Sequence, residues 1–252
     1  MDLIRARLRQ GFKTIAYPDG PANLPARYRG RPVLDPARCA PGCRACADAC
    51  PTGAVTIAPL ALDLGKCLFC PDCTAACPTG ALRLSADHRL SASAREDLVL
   101  SGDADADASR LARALPEATR RLFRRSLKLR QVSAGGCNGC EGELNAVGGV
   151  DFDLSRFGVQ FVASPRHADG IVVTGPVSRN MRQALLDTYE AVPSPRLVIA
   201  YGTCAIGGGP FAGSPACHDG VPRDLPIDLF VPGCPPHPLT FLDGILRMLG
   251  RL

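Results

Sequence analysis

Eight of the thirteen cysteines in this 252-residue chain lie between residues 39 and 77, and they are written twice. "CADACPTGAVTI" from Cys46 is echoed by "CTAACPTGALRL" from Cys73, so Cys43, Cys46 and Cys50 each recur 27 residues later as Cys70, Cys73 and Cys77. Cys39 recurs as Cys67 after 28 residues, because "CAPGC" carries one residue more than "CLFC". Thiols at this density make a disulfide scaffold or a metal site. A chain of this length can bury a core without cross-links. Its start, "MDLIRARLRQGFKTIAYPDG", is charged throughout and has no apolar h-region. No later stretch approaches the ~18 consecutive apolar residues of a membrane span. The expectation is reduced, metal-binding cysteines in a cytoplasmic protein.

The spacing C-x2-C-x2-C-x3-C-P is the run that holds a [4Fe-4S] cubane, three thiolates capping one cluster while the fourth crosses to the other. Cys67, Cys70, Cys73 and Cys77 with Pro78 match it throughout; Cys39, Cys43, Cys46 and Cys50 with Pro51 match except in the first gap. The crossover rule assigns Cys39, Cys43, Cys46 and Cys77 to one cluster and Cys67, Cys70, Cys73 and Cys50 to the other. Two zinc sites built from C-x2-C pairs are the alternative. This stretch resembles a bacterial-type two-cluster ferredoxin. With its lead-in "RYRGRPVLDPARC" it is similar to the ferredoxin-like subunit that accompanies formate hydrogenlyase and respiratory complex I.

Residues 91–125, rich in Ala, Ser, Asp and Arg and without cysteine, read as a linker. From about residue 126 short apolar runs alternate with helical patterns. "SLKLRQV", "GIVVTG", "RLVIAYG" and "DLFVPG" read as buried strands; residues 178–192 and 237–250 read as helices. The alternation argues for an open parallel α/β sheet, and ligands of such sheets gather beyond the carboxyl ends of the strands. Cys137, Cys204 and Cys234 each follow one of these strands within a few residues. Together with Cys140 they would form a closed site of four thiolates, its loops kept tight by Gly207 to Gly209 and by Pro235 and Pro236. "CNGC" alone is also compatible with a redox dithiol.

"SAGGCNGCEGELN", "YGTCAIGGGPF" and "VPGCPPHPLTFLDGIL" together resemble the small subunit of [NiFe]-hydrogenases and the related 20 kDa subunit of complex I. The resemblance implies a flavodoxin-like sheet domain in which Cys137, Cys140, Cys204 and Cys234 hold a [4Fe-4S] cluster proximal to a catalytic large subunit. Within that group the chain is most similar to membrane-bound, formate-hydrogenlyase-like (group 4) enzymes. Complex I subunits carry two adjacent cysteines at the first position, whereas this chain has C-x-x-C, as hydrogenases do. The expected organisation is a basic amphipathic lead-in (1–30), a two-cluster ferredoxin domain of α+β type (31–90), a linker (91–125) and a hydrogenase small-subunit-like α/β domain (126–252). Three [4Fe-4S] clusters then take twelve of the thirteen cysteines.

The resemblance implies an electron-transfer subunit with no active site of its own. Its expected partners are the catalytic large subunit and further electron-transfer and membrane subunits, and its expected place is peripheral, on the cytoplasmic face of the cell membrane. A quinone-reducing complex I-like module, a hydrogenase-related complex whose large subunit lacks nickel, and a freestanding iron–sulfur carrier or redox sensor are the alternatives. Glu143 is a candidate for proton transfer at the large-subunit interface, and Glu141 for stabilising a helix N-terminus. His237 is a candidate to hydrogen-bond a cluster sulfur or to cap a helix. Cys217, the thirteenth cysteine, reads as incidental.

The net charge of +5 is mild, and a chain with no Trp and 5% aromatic residues offers few platforms for stacking bases, so nucleic acid is not an expected partner. The basic residues do cluster, at Arg5, Arg7, Arg9 and Lys13 and at Arg120, Arg121, Arg124, Arg125, Lys128 and Arg130. Such clusters are solvated faces or docking surfaces for an acidic partner or a membrane. Residues 3–15, with Leu3, Ile4, Leu8, Phe12 and Ile15 set against the first basic cluster, read as a short amphipathic helix.

Overall fold

Both copies of the cysteine repeat fold into the same short unit. The computed structural model describes residues 2–22, 24–103, 107 and 109–252. A first helix α1 (Asp2–Gln10) precedes β1 (Pro32–Leu34), α2 (Ala45–Asp48), β2 (Val55–Ile57), β3 (Leu60–Asp63), α3 (Asp72–Ala76) and β4 (Leu82–Leu84). α2 carries Cys46 and α3 carries Cys73. Each leads through a Cys-Pro-Thr-Gly turn into a strand, β2 or β4. β4 returns antiparallel to β1, with Val33 opposite Arg83, and β2 pairs antiparallel with β3, with Val55 opposite Leu62.

The expected linker is packed structure. Val99–Leu100 form β5, which extends the β2-β3 pair with Leu62 opposite Leu100. Leu98 and Leu100 are buried, Ala92 bridges to Phe230, and α4 (Glu117–Phe123) buries Phe123. Few apolar residues stand in this Ala- and Asp-rich stretch. Their partners are remote in sequence, so local composition conceals their packing. Positions 104–106 and 108 of the stretch lie outside the described residues.

The second half follows as β6 (Leu127–Ser133), α5 (Gly139–Val147), β7 (Val159–Phe161), β8 (Gly170–Thr174), α6 (Arg179–Ala191), β9 (Leu197–Tyr201), α7 (Thr203–Gly207), β10 (Leu229–Val231) and α8 (Pro238–Met248). The four expected strands and both expected helices are present, and β7 is an addition. The five strands form one sheet in the order β10-β9-β8-β6-β7, all neighbours parallel. That is the flavodoxin-like order, whose direction of winding reverses between β6 and β8.

Alternate residues of each strand feed two cores. On one face Leu129, Ile199, Tyr201 and Val231 pack with Leu144 of α5 and with Phe241, Leu242 and Ile245 of α8. On the other face Val173, Val198 and Phe230 belong to one apolar cluster with Leu185 of α6 and with Leu62, Leu98 and Leu100 of the ferredoxin half. The two halves therefore share a core.

The lead-in differs from expectation. α1 ends at Gln10, short of residue 15, because Gly11 takes φ +62 and its amide donates to Arg7 O at 3.1 Å, closing the helix. No side chain of α1 is buried. Beyond it the chain folds back onto the sheet half. The Ile15 amide donates to Asp151 O at 2.9 Å, Arg156 donates to Ile15 O and Tyr17 O at 2.8 Å each, and Tyr17 OH donates to Asp243 Oδ1 of α8 at 3.0 Å.

Candidate metal centres

The thirteen cysteines are all free thiols, and eleven of the twelve expected ligands, all but Cys43, act on one another in three groups. Burial raises the Cys46 thiol, and the negative charges of Cys77 and Cys39 raise it further. Burial pushes Cys67 up to about 12, with Cys73, Cys50 and Cys70 adding their charge against the backbone amide of Phe69. Cys77 thus acts on Cys46 of the first expected set, and Cys50 on Cys67 of the second. The repeat also supplies backbone donors. Burial works against the Cys50 thiolate, but the amides of Thr52, Ala54 and Val55 and the Thr52 hydroxyl together bring it below the ordinary range, Ala54 N donating to Cys50 Sγ at 3.2 Å. Cys77 is lowered in the same way, its burial outweighed by Leu82, Thr79 and Ala81. One sequence written twice makes one sulfur environment twice.

The third set forms at the carboxyl ends of the parallel strands. The loop after β6 carries Cys137 and enters α5 at Cys140 through Asn138, which adopts the left-handed φ of +71. Cys204 lies in α7 directly after β9, and Cys234 follows β10. Burial raises Cys140 well above the thiol range, and Glu141, Cys204, Cys234 and Cys137 add to it; burial brings Cys204 to about 11, with Cys234 and Cys137 next. Two glycines keep this space open. A Cβ on Gly202 (φ +89) would lie 2.6 Å from Cys140 Sγ, and one on Gly209 (φ +54) would lie 2.9 Å from Cys204 Sγ.

Donor chemistry is the test of what these sets can hold. Buried thiols that oppose one another's ionisation stay neutral on their own, whereas a bound cation would deprotonate them outright. Among the described residues no three Cys, His, Asp or Glu side chains converge as ligands of a single ion would. A cubane asks for a wider arrangement, because each thiolate binds a different iron. Four thiols per set, with tight loops and N–H···S donors, fit that group.

The sets are in sequence with one another. Cys46 of the first acts on Cys73 of the second, and Cys70 of the second acts on Cys234 of the third. Thr203, which precedes Cys204, donates from Oγ1 to Cys67 O at 2.8 Å and so ties the second set to the third. Arg95 grips Asp63 with two bonds of 2.8 and 2.6 Å and lies close to Gly65, which also neighbours Ile206 of α7. Neither Thr203 nor Arg95 was legible as a site residue. The only signal was their place beside a cysteine and inside the supposed linker.

Around the third set, Glu141 is buried and its Oε1 accepts from Ser133 Oγ at 2.6 Å and Thr174 Oγ1 at 2.5 Å. Its Oε2 has no hydrogen-bond partner among the described residues. The residue thus does more than complement the N-terminus of α5. It ties that helix to the ends of β6 and β8. Glu143 is half-buried, and burial alone raises its carboxyl. His237 accepts Leu239 N at Nδ1 (3.1 Å) as the cap of α8, so this nitrogen is unavailable to donate to a sulfur. Burial lowers the imidazole to about 4, and it stays neutral at pH 7. Cys217 lies near enough to Cys204 to raise it slightly and bridges Ser178.

Two stretches of the chain match known families. Residues 38–81 match the 4Fe-4S dicluster domain family, and residues 137–248 match the family described as NADH ubiquinone oxidoreductase, 20 Kd subunit. The probable membrane-bound hydrogenase subunit mbhJ of Pyrococcus furiosus is 45% identical over 121 residues, covering 48% of this chain and 72% of that protein. Formate hydrogenlyase subunit 7 of Escherichia coli is 42% identical over 130 residues, 52% of this chain and 51% of its own length. An NADH-quinone oxidoreductase subunit of Heliobacterium modesticaldum is 44% identical over 114 residues, 45% of this chain and 65% of its own length. The chain thus spans only about half to two thirds of the latter two. With its four-thiol sheet edge and nearly three quarters of mbhJ matched, the chain belongs to the family of the 20 kDa subunit of NADH ubiquinone oxidoreductase, with a 4Fe-4S dicluster domain in the same polypeptide.

Proposed function

We propose that this chain carries three [4Fe-4S] clusters as the electron-transfer subunit of a membrane-bound, formate-hydrogenlyase-like [NiFe]-hydrogenase. Cys39, Cys43, Cys46 and Cys77 would hold the first, Cys67, Cys70, Cys73 and Cys50 the second, and Cys137, Cys140, Cys204 and Cys234 the third. The carrying observation is that the three thiol sets lie within electrostatic reach of one another, Cys46 acting on Cys73 and Cys70 on Cys234, with Thr203 Oγ1 donating to Cys67 O at 2.8 Å between the second and third. Loaded with cubanes, such a row supplies one-electron carriers from the ferredoxin half to the sheet edge. Cys137 and Cys234 are exposed at that edge, which suits coverage by a catalytic large subunit. Glu143, on α5 three residues beyond Cys140, is the residue proposed to pass protons across that interface. No helix among the described residues is long and apolar enough to cross a membrane, which suits a peripheral subunit held on the cytoplasmic face by its partners.

Identity to hydrogenase and quinone-reductase relatives is nearly equal, 45% and 42% against 44%. The choice between them therefore rests on the C-x-x-C of Cys137 and Cys140. Anaerobic copurification with metal analysis tests the reading. The expected result is about twelve irons per chain with nickel in a copurifying large subunit. About eight irons would remove the third cluster. A large subunit without nickel would transfer the chain to a quinone-reductase-like complex, and a monomer with no partner would make it a freestanding carrier.

A further inference from the structure

Six of the nine exposed large apolar side chains among the described residues, Leu3, Ile4, Leu8, Phe12, Val150 and Leu252, lie on connected parts of the surface. The first four are 66 to 90% exposed, on and just after α1. α1 is held out from the body while its root is fixed: Thr14 Oγ1 donates to Val150 O at 2.8 Å, and Arg156 binds Ile15 O and Tyr17 O. The neighbouring residue Phe157 accepts from Arg251 through its carbonyl, and Gly158 packs on the carbonyl of Arg125. The root of α1 is thereby joined to an open basin of about 600 Å³ lined by Arg124, Arg125, Gly250, Arg251 and Leu252. Glu117 is taken by Arg120 and Arg121, which leaves Arg124 and Arg125 with no acidic partner among the described residues.

Charge and shape agree along this face. On α1, Leu3, Ile4 and Leu8 occupy one arc of the helix, Arg5 flanks it and Arg9 lies on the opposite side. Arg7 falls within the apolar arc, but its guanidinium folds back to donate to Gly11 O at 2.6 Å and stacks over the Phe12 ring at 5.0 Å. Its charge is moved to the end of the helix, and the arc stays apolar. Asp2 is the only acidic residue of α1. Apolar side chains with no pocket to enter, bordered by cations and continuous with an arginine basin, match a bilayer surface that offers acyl chains and phosphates together.

We propose that this face binds anionic phospholipid directly, α1 lying at the headgroup boundary with Leu3, Ile4, Leu8 and Phe12 inserted and the arginine basin holding a lipid phosphate. The contact is additional to any made through partner subunits and does not depend on which enzyme the chain serves.

Flotation of the full, cluster-loaded chain with vesicles tests it. The chain is expected to float with an equal mixture of phosphatidylcholine and phosphatidylglycerol and to remain free of pure phosphatidylcholine. Leu8→Glu with Phe12→Glu, and separately Arg124→Glu with Arg125→Glu, should each weaken binding by about tenfold or more. Each variant should keep its iron–sulfur absorbance and circular dichroism. Arg223→Glu, an exposed cation elsewhere on the surface, should bind as the parent does. Equal binding to both vesicle types, no binding to either, or α1 and basin variants that bind like the parent would overturn the proposal. So would an acidic protein subunit captured through α1 by a chain that fails to float.

Discussion

Gly202 and Gly209 shape the third site by what they lack. Each has a positive φ and a cysteine sulfur where its Cβ would be, at 2.6 and 2.9 Å. Alanine at either position meets both obstacles, left-handed backbone strain and a contact no real Cβ makes. Gly202→Ala is expected to cost the chain about four irons, one cubane, while leaving the ferredoxin half loaded. Iron analysis with electron paramagnetic resonance of the reduced protein checks this.

His237 gives a pH dependence of known sign. Its pKa falls from an unperturbed 6.5 to about 4 through burial, so the unfolded chain binds the proton more readily. Stability is full above pH 6.5 and is lost as pH falls toward 4. Between about pH 7 and pH 5 the loss from this residue is at most about 2 kcal/mol. His237→Asn keeps an acceptor for Leu239 N and removes the titration. The variant's melting temperature should fall less than the parent's when both are scanned anaerobically at the two pH values.

At the level of elements, the parallel strands were legible because β8 and β9 are buried on both faces and read as continuous apolar runs. β7 escaped notice as a three-residue edge strand with a single buried side chain, Val159. β5 escaped because two residues carry no period, and its partner Leu62 is 38 positions away. The cysteine ligands were legible for the opposite reason. Their spacing is local in the repeat, and each ligand of the third set follows a recognisable strand. What surrounds them, such as Ser133 and Thr174 on Glu141, depends on strand neighbours that no local pattern reveals.

Packing also reverses an ordinary preference in α8. Replacing a helical glycine by alanine usually stabilises by up to about 1 kcal/mol. At Gly244 the new Cβ would stand 2.5 Å from Ser91 Oγ, and that hydroxyl is fully buried and bonded to Thr240 O. Overpacking costs about 1–3 kcal/mol and wins. Gly244→Ala should therefore lower the melting temperature, and adding Ser91→Gly should recover part of the loss.

Across the whole molecule the shared core decides how the chain behaves. Leu62 and Leu98 of one half and Val198 and Phe230 of the other belong to a single apolar cluster, and residues 91–125 contribute to both halves. Calorimetry of the loaded protein should show one cooperative transition. Fragments cut at residue 90 or at residue 126 should be insoluble, since each exposes part of that core. Two separate transitions, or a soluble and loaded fragment 31–90, would contradict this.

The bond from Thr203 Oγ1 to Cys67 O spans the seam between the halves. Where carrier and acceptor are separate proteins, they must meet by diffusion, and their exchange slows on dilution. Here the second and third thiol sets are held at a fixed effective concentration by the fold itself. On the proposed three-cluster loading, exchange between them would be first order at any dilution. Every folded and loaded chain would then carry its three clusters in a one-to-one-to-one ratio, their supply set by a single act of translation.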